Sequence, residues 1–151
     1  MKTTLTLLGL TALVCGLAAA DAPPPAGSVP LATILQKVEQ GGYQAVTEVS
    51  FDDGEWEVEA MKGPRPVGLR IVPATGEIRS VHADEPHPAV PAKALPLVDV
   101  LKGLETAGYT TITKLELETT GWEVECHKSG QPRELVVDPL TAKVLSDRED
   151  D

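Results

Sequence analysis

The stretch Thr47-Glu48-Val49-Ser50-Phe51-Asp52-Asp53-Gly54-Glu55-Trp56-Glu57-Val58-Glu59 decides the fold. Thr47, Val49 and Phe51 alternate with Glu48, Ser50 and Asp52, the period of a strand with one face covered and the other in water. Asp53-Gly54 signals a two-residue hairpin, because a type I′ turn needs positive φ at both central positions. Closing the hairpin there sets the register. Phe51 falls opposite Trp56 and Val49 opposite Val58 on the core face, while Glu48 falls opposite Glu59 on the outer face.

The same stretch occurs twice. Tyr43 and Tyr109, and Trp56 and Trp122, are each separated by 66 residues, and the shift holds between them without a gap. Trp56-Glu57-Val58-Glu59 returns as Trp122-Glu123-Val124-Glu125, Pro30-Leu31 as Pro96-Leu97, Gly42-Tyr43 as Gly108-Tyr109, and Lys62 as Lys128. Upstream of each hairpin lies a helical stripe: Leu31, Ile34, Leu35 and Val38 in the first copy, Leu97, Leu101 and Leu104 in the second. Gly41-Gly42 and Gly108 stop these helices. In the second copy Gly121 sits one place later than Gly54 would require, which predicts a longer or bulged Thr119-Thr120-Gly121 turn. Second hairpins follow at Gly63-Pro64 and Ser129-Gly130, leading into Val67-Leu69-Ile71 and Leu135-Val137. Glu77 to Val81 is a short fourth strand by its position after Pro73-Ala74-Thr75-Gly76, and Pro139 to Asp147 repeats it. The expected fold is α+β: two tandem modules, each one helix on an antiparallel sheet of three or four strands.

Around these repeats the chain divides into a leader over residues 1–20, repeats over 28–81 and 95–147, a linker over 82–94 and an acidic tail over 148–151. Lys2, the apolar run Leu5 to Leu17 and the small residues Ala18-Ala19-Ala20 have the order of a secretory signal. The apolar run is shorter than the roughly 20 residues a spanning helix needs, so no membrane insertion of the mature chain is expected. Val14 before Cys15 is not the small residue that lipid attachment requires, which favours plain secretion to a periplasm or the extracellular space. Losing Lys2 and no acid takes the formal charge from −10 to −11. That balance disfavours nucleic acid and anionic membrane surfaces as partners. Cys126 is then the one remaining thiol and has no internal disulfide partner.

A Leu-rich helix ending in Gly-Tyr, an alternating strand, a turn, the Trp-Glu-Val-Glu strand and the closing Val137-Asp138-Pro139-Leu140-Thr141 resemble the PepSY domain family. Ala142 stands where that family usually has Gly, and in the first copy Val72 replaces the Asp while Pro73, Thr75 and Gly76 are kept. The resemblance implies a non-catalytic module that binds and restrains a peptidase or another protein outside the cytoplasm.

The residues themselves support no catalyst. Ser50, Ser80, Ser129 and Ser146 lack a nucleophile-elbow setting, Cys126 replaces Ala60 of the first copy, and His127 beside it points to the other side of the sheet. His82-Ala83-Asp84-Glu85-Pro86-His87 offers four metal-binding side chains, but their spacing matches no tight motif and a solvated linker accounts for them, so no metal or other cofactor is expected. No loop has the oxygen-ligand spacing of a calcium site. Tyr43, Trp56, Tyr109 and Trp122 are expected as core anchors. The candidate partner-binding surface is the acidic outer face: Glu48, Glu57, Glu59, Glu116, Glu123, Glu125 and Glu134, relieved in part by Arg70 and Lys114. Two functions follow: binding of a protein partner, in its family-implied form a peptidase, or a structural module of the envelope whose charged face resists edge aggregation.

Overall fold

The structure, a computed structural model, describes residues 22–150; the leader expected over 1–20 lies outside the described residues. The first copy contains α1 (Leu31–Gln40), β1 (Gln44–Asp52), β2 (Glu55–Lys62), β3 (Arg65–Val72) and β4 (Glu77–Ala83). The second contains α2 (Leu97–Thr106), β5 (Tyr109–Glu118), β6 (Gly121–Lys128), β7 (Gln131–Val137) and β8 (Val144–Glu149). Both helices are ten residues long, too short to be stable alone in water, so each depends on the apolar stripe it buries. Ile34, Leu35 and Val38 are buried on α1, and Val100, Leu101 and Leu104 on α2. After each helix a glycine takes positive φ, Gly42 at 79° and Gly108 at 88°.

The two expected separate sheets are one. All eight strands form a single antiparallel sheet in the order β4-β3-β2-β1-β5-β6-β7-β8. The junction is the pair β1 and β5, with Glu48 opposite Glu116, Val49 opposite Leu115 and Ser50 opposite Lys114. Val49 and Leu115 are themselves repeat equivalents, so the copies meet about a local two-fold axis through that pair. The physical reason for the merger is that each three-hairpin unit would otherwise leave β1 or β5 as a bare edge. Pairing them removes both edges and lets α1 and α2 pack side by side over one continuous core.

The hairpin registers follow the side-chain alternation. Phe51 pairs with Trp56, Val49 with Val58 and Glu48 with Glu59; Leu117 pairs with Trp122, Lys114 with Glu125 and Glu116 with Glu123. Asp53 and Gly54 have φ of 49° and 81°, the pattern of a type I′ turn. The second copy does not carry the expected longer turn: Glu118 pairs with Gly121, leaving Thr119-Thr120 as a two-residue loop. Gly121 serves another purpose. Its φ is 138°, and a Cβ there would lie 2.5 Å from the Val137 carbonyl oxygen, so the close approach of β7 demands a glycine. The fourth strands are also longer than expected, β4 reaching Ala83 and β8 reaching Glu149, so the first two residues of the expected linker and the start of the expected acidic tail lie in the sheet. The rest of that linker wraps the end of the sheet: Val90 and Leu95 pack on the core, and Leu95 N–H donates to the Pro139 carbonyl at 2.8 Å, as Val29 does to Pro73 at 2.8 Å in the first copy.

Candidate functional site

The helices cover one face of the sheet, and alternation sends every second side chain to the other. The seven glutamates Glu48, Glu57, Glu59, Glu116, Glu123, Glu125 and Glu134 all project from this helix-free face, each half-buried. Cross-strand registers arrange them in two lateral rows. One runs Gly68, Glu59, Glu48, Glu116, Glu123 and Val136 across β3-β2-β1-β5-β6-β7. The other runs Arg70, Glu57, Ser50, Lys114, Glu125, Glu134 and Arg148. The second row carries three cations: Arg70 pairs with Glu57 and Arg148 with Glu134, while Lys114 lies 2.7 Å from Glu116 of the first row, and Glu125 stands opposite Glu134.

The first row holds four carboxylates on four adjacent strands. Burial raises the Glu48 carboxyl above its ordinary value, and Glu59 and Glu116 on either side raise it further, against the pull of Lys114 and Ser50. Glu59 is raised too, first by burial and then by Asp84, Glu116 and Glu57, while His87 opposes the shift. Lys114 is held above its usual range by the hydrogen bond it donates to Glu116. The row is therefore a stripe of crowded negative charge at the junction of the two copies, the arrangement that a basic surface would neutralise.

The end of that row holds a group that sequence spacing did not show. His87, expected in a solvated linker, buries its ring to 5% side-chain exposure, with Nδ1 3.1 Å from Glu59 Oε2 and Nε2 3.9 Å from Asp84 Oδ2. His82 lies over Gly68, where a Cβ would meet its Nε2 at 2.3 Å. Neither placement has a sequence signal of its own, because the partners sit on strands far away in the chain.

The four aromatic positions divide unevenly. Trp56 and Trp122 are each 2% exposed and Tyr109 is 4% exposed, whereas Tyr43 is only half-buried. Lys62 stands 4.4 Å above the Tyr43 ring and Lys128 4.3 Å above that of Tyr109. The difference has a cause: the Tyr109 hydroxyl donates to Asp147 at 2.7 Å, and the repeat equivalent of Asp147 is the exposed Val81. Both indole N–H groups are buried without a hydrogen-bond partner. Each indole lines a cleft shared between the copies, Trp122 with Leu35, Glu39 and Leu97, and Trp56 with Leu101, Glu105 and Leu31. Cys126 faces the core, where burial pushes its thiol up to about 12, and His127 lies on the opposite face. A thiolate nucleophile is absent at neutral pH under those conditions.

The profile of the family described as peptidase propeptide and YPEB domain matches residues 2–81 and again 81–148. No curated protein matches the chain at a significant level. Among solved structures, one from Clostridium difficile 630, described as a candidate lipoprotein, is similar over 83% of this chain and 96% of its own, at 10% identity and a TM-score of 0.47. Among the described residues no helix is long and apolar enough to cross a membrane.

Proposed function

We propose a partner-binding role outside the cytoplasm for this chain, which belongs to the peptidase propeptide and YPEB domain family. Its helix-free face receives a basic surface of another protein, and a peptidase is the partner that the family description suggests. The observation that carries the reading is the row Glu59, Glu48, Glu116 and Glu123, where like charges lie directly opposite one another across the centre of the sheet. Such pairs weaken a sheet, so a fold selected for stability alone would place cations there as the neighbouring row does with Arg70, Lys114 and Arg148. Binding through this face needs no reaction, and the leader expected over residues 1–20, the acidic balance and the family description agree with an exported protein that modulates or restrains its partner.

The test is to immobilise residues 21–151 and identify by mass spectrometry what is retained from the host's secreted and envelope fraction, at low and at moderate salt. A variant with Glu48 and Glu116 replaced by Gln serves as the comparison. Retention of a peptidase that weakens with salt and is lost in the variant supports the reading, and near-stoichiometric inhibition of that peptidase would establish restraint. Retention of nothing beyond what the variant holds would leave a structural module of the envelope as the function.

A further inference from the structure

We propose that Glu59, Asp84 and His87 form a binding site for a divalent transition-metal ion of the zinc class. One ligand atom from each of the three lies within 4.8 Å of the others. Ligands of a tetrahedral zinc ion, at 2.0–2.2 Å from the metal, stand about 3.4 Å apart. One ring nitrogen must serve the ion: Nε2 lies 3.9 Å from Asp84 Oδ2, close to that separation, while the 3.1 Å contact to Glu59 is made by Nδ1. The three ligand atoms, all within 4.8 Å of one another, need to draw together by up to about 1.4 Å to close on an ion.

Two independent features separate this cluster from an ordinary acidic patch. His87 Nε2 is buried without any hydrogen-bond partner, in a ring whose side-chain exposure is 5%. A buried imidazole nitrogen left unpartnered is destabilising, and a metal bond would offset that cost. The segment is also held in place before any ion arrives. Asp84 N–H donates to the Pro66 carbonyl at 3.2 Å, and Asp84 Oδ1 accepts from the Glu85 N–H at 2.8 Å, which turns Oδ2 toward the ring. Pro86 and Pro88 flank His87 and restrict the backbone on both sides.

The donor set selects the ion class. One imidazole with two carboxylates suits zinc and its neighbours, whereas calcium and magnesium demand all-oxygen shells of six or more ligands. A dication would cancel the two carboxylate charges and relieve crowding at the end of the glutamate row. It would also clamp the segment between the copies onto β2.

The experiment is calorimetric titration of Zn²⁺ into the purified chain carrying no histidine tag, with thermal melts in parallel. One ion per chain is expected, with a rise in melting temperature on saturation, and His87→Ala and Asp84→Asn should each weaken binding at least about tenfold. His82→Ala should bind as the parent does, and Ca²⁺ should not compete. Absence of binding heat, or equal affinity in the parent, His87→Ala and Asp84→Asn, would overturn the site. Because His87 and Asp84 lie outside the strands, both variants should retain the parent's fold, which the melts check directly.

Discussion

Glu48 is flanked in register by Glu59 on β2 and Glu116 on β5, and no cation stands within ion-pair distance of it among the described residues. Replacing it with glutamine keeps the shape and removes the charge at the middle of the row. Two directly opposed like-charge pairs are relieved, each costing about 0.5 kcal/mol at a half-buried site, and part of the gain is returned because Lys114 loses an attraction. A net gain of about 0.5–1 kcal/mol is expected at pH 7. For a domain of this size that corresponds to a rise of about 2–4 °C in melting temperature. The pH dependence fixes the cause. Because the folded pKa of Glu48 is raised above its ordinary 4.5, the associated stability is fully present below that value and is lost as pH rises through the folded one. At pH 7 the parent has lost it and Glu48→Gln has not, so the advantage should vanish below about pH 4 and shrink in 1 M salt. Melts by circular dichroism at pH 7 and pH 3.5 decide. A lower melting temperature at pH 7, or an equal gain at both pH values, would refute the electrostatic account.

Three further outcomes follow from the packing. Trp56→Ala and Trp122→Ala should each cost about 3–5 kcal/mol in urea denaturation, through a single transition, because both indoles are 2% exposed in one shared core; two separate transitions would contradict the continuous sheet. Gly121→Ala should destabilise by about 3 kcal/mol or more, against about 1 kcal/mol for Gly54→Ala, since a Cβ at Gly121 meets the Val137 carbonyl at 2.5 Å and one at Gly54 meets nothing within 4 Å; equal costs would remove the close-approach explanation. Cys126 should resist a disulfide reagent at pH 8 until the chain unfolds. Its thiol and the Tyr109 phenol, both pushed up to about 12 by burial, should give stability that is full below pH 9 and falls toward pH 12, as an alkaline melt series would register.

The registers within each hairpin were legible because strict alternation and the Asp53-Gly54 turn leave no freedom to slip: a shift of one residue would put Trp56 in water and Glu57 in the core. The seven glutamates were legible as one face for the same reason. The single sheet was not. Only Val49, Leu115 and their immediate neighbours make the junction, and nothing in β1 or β5 distinguishes a strand that pairs with its copy from one left at an edge. The turn before Gly121 was misplaced because a glycine needed for a close approach looks, in sequence, like one needed for a turn. His87 was missed because a stretch rich in proline and charge has a solvated composition, and its contact with Glu59 depends on how β4 returns that stretch to the sheet.

The local two-fold axis shows where the copies have diverged. It maps Glu59 to Glu125, Glu48 to Lys114, Glu116 to Ser50 and Glu123 to Glu57, so it carries the all-acidic row onto the mixed one. The elements that build the fold obey the axis: the Trp anchors, the lysines over Tyr43 and Tyr109, and the paired bonds from Val29 and Leu95 to the prolines after β3 and β7. On the helix-covered face it is broken by Asp147 in place of Val81 and Cys126 in place of Ala60, and on the helix-free face by a charge at Lys114, a hydroxyl at Ser50 and the placement of His87. Had that face been only a solvated surface, drift would have spread such differences over both rows alike. Instead four successive carboxylates stand in the row that ends at Asp84 and His87 and the cations Arg70, Lys114 and Arg148 in the other, which gives the duplicated scaffold one distinct end at which charge can be neutralised from outside.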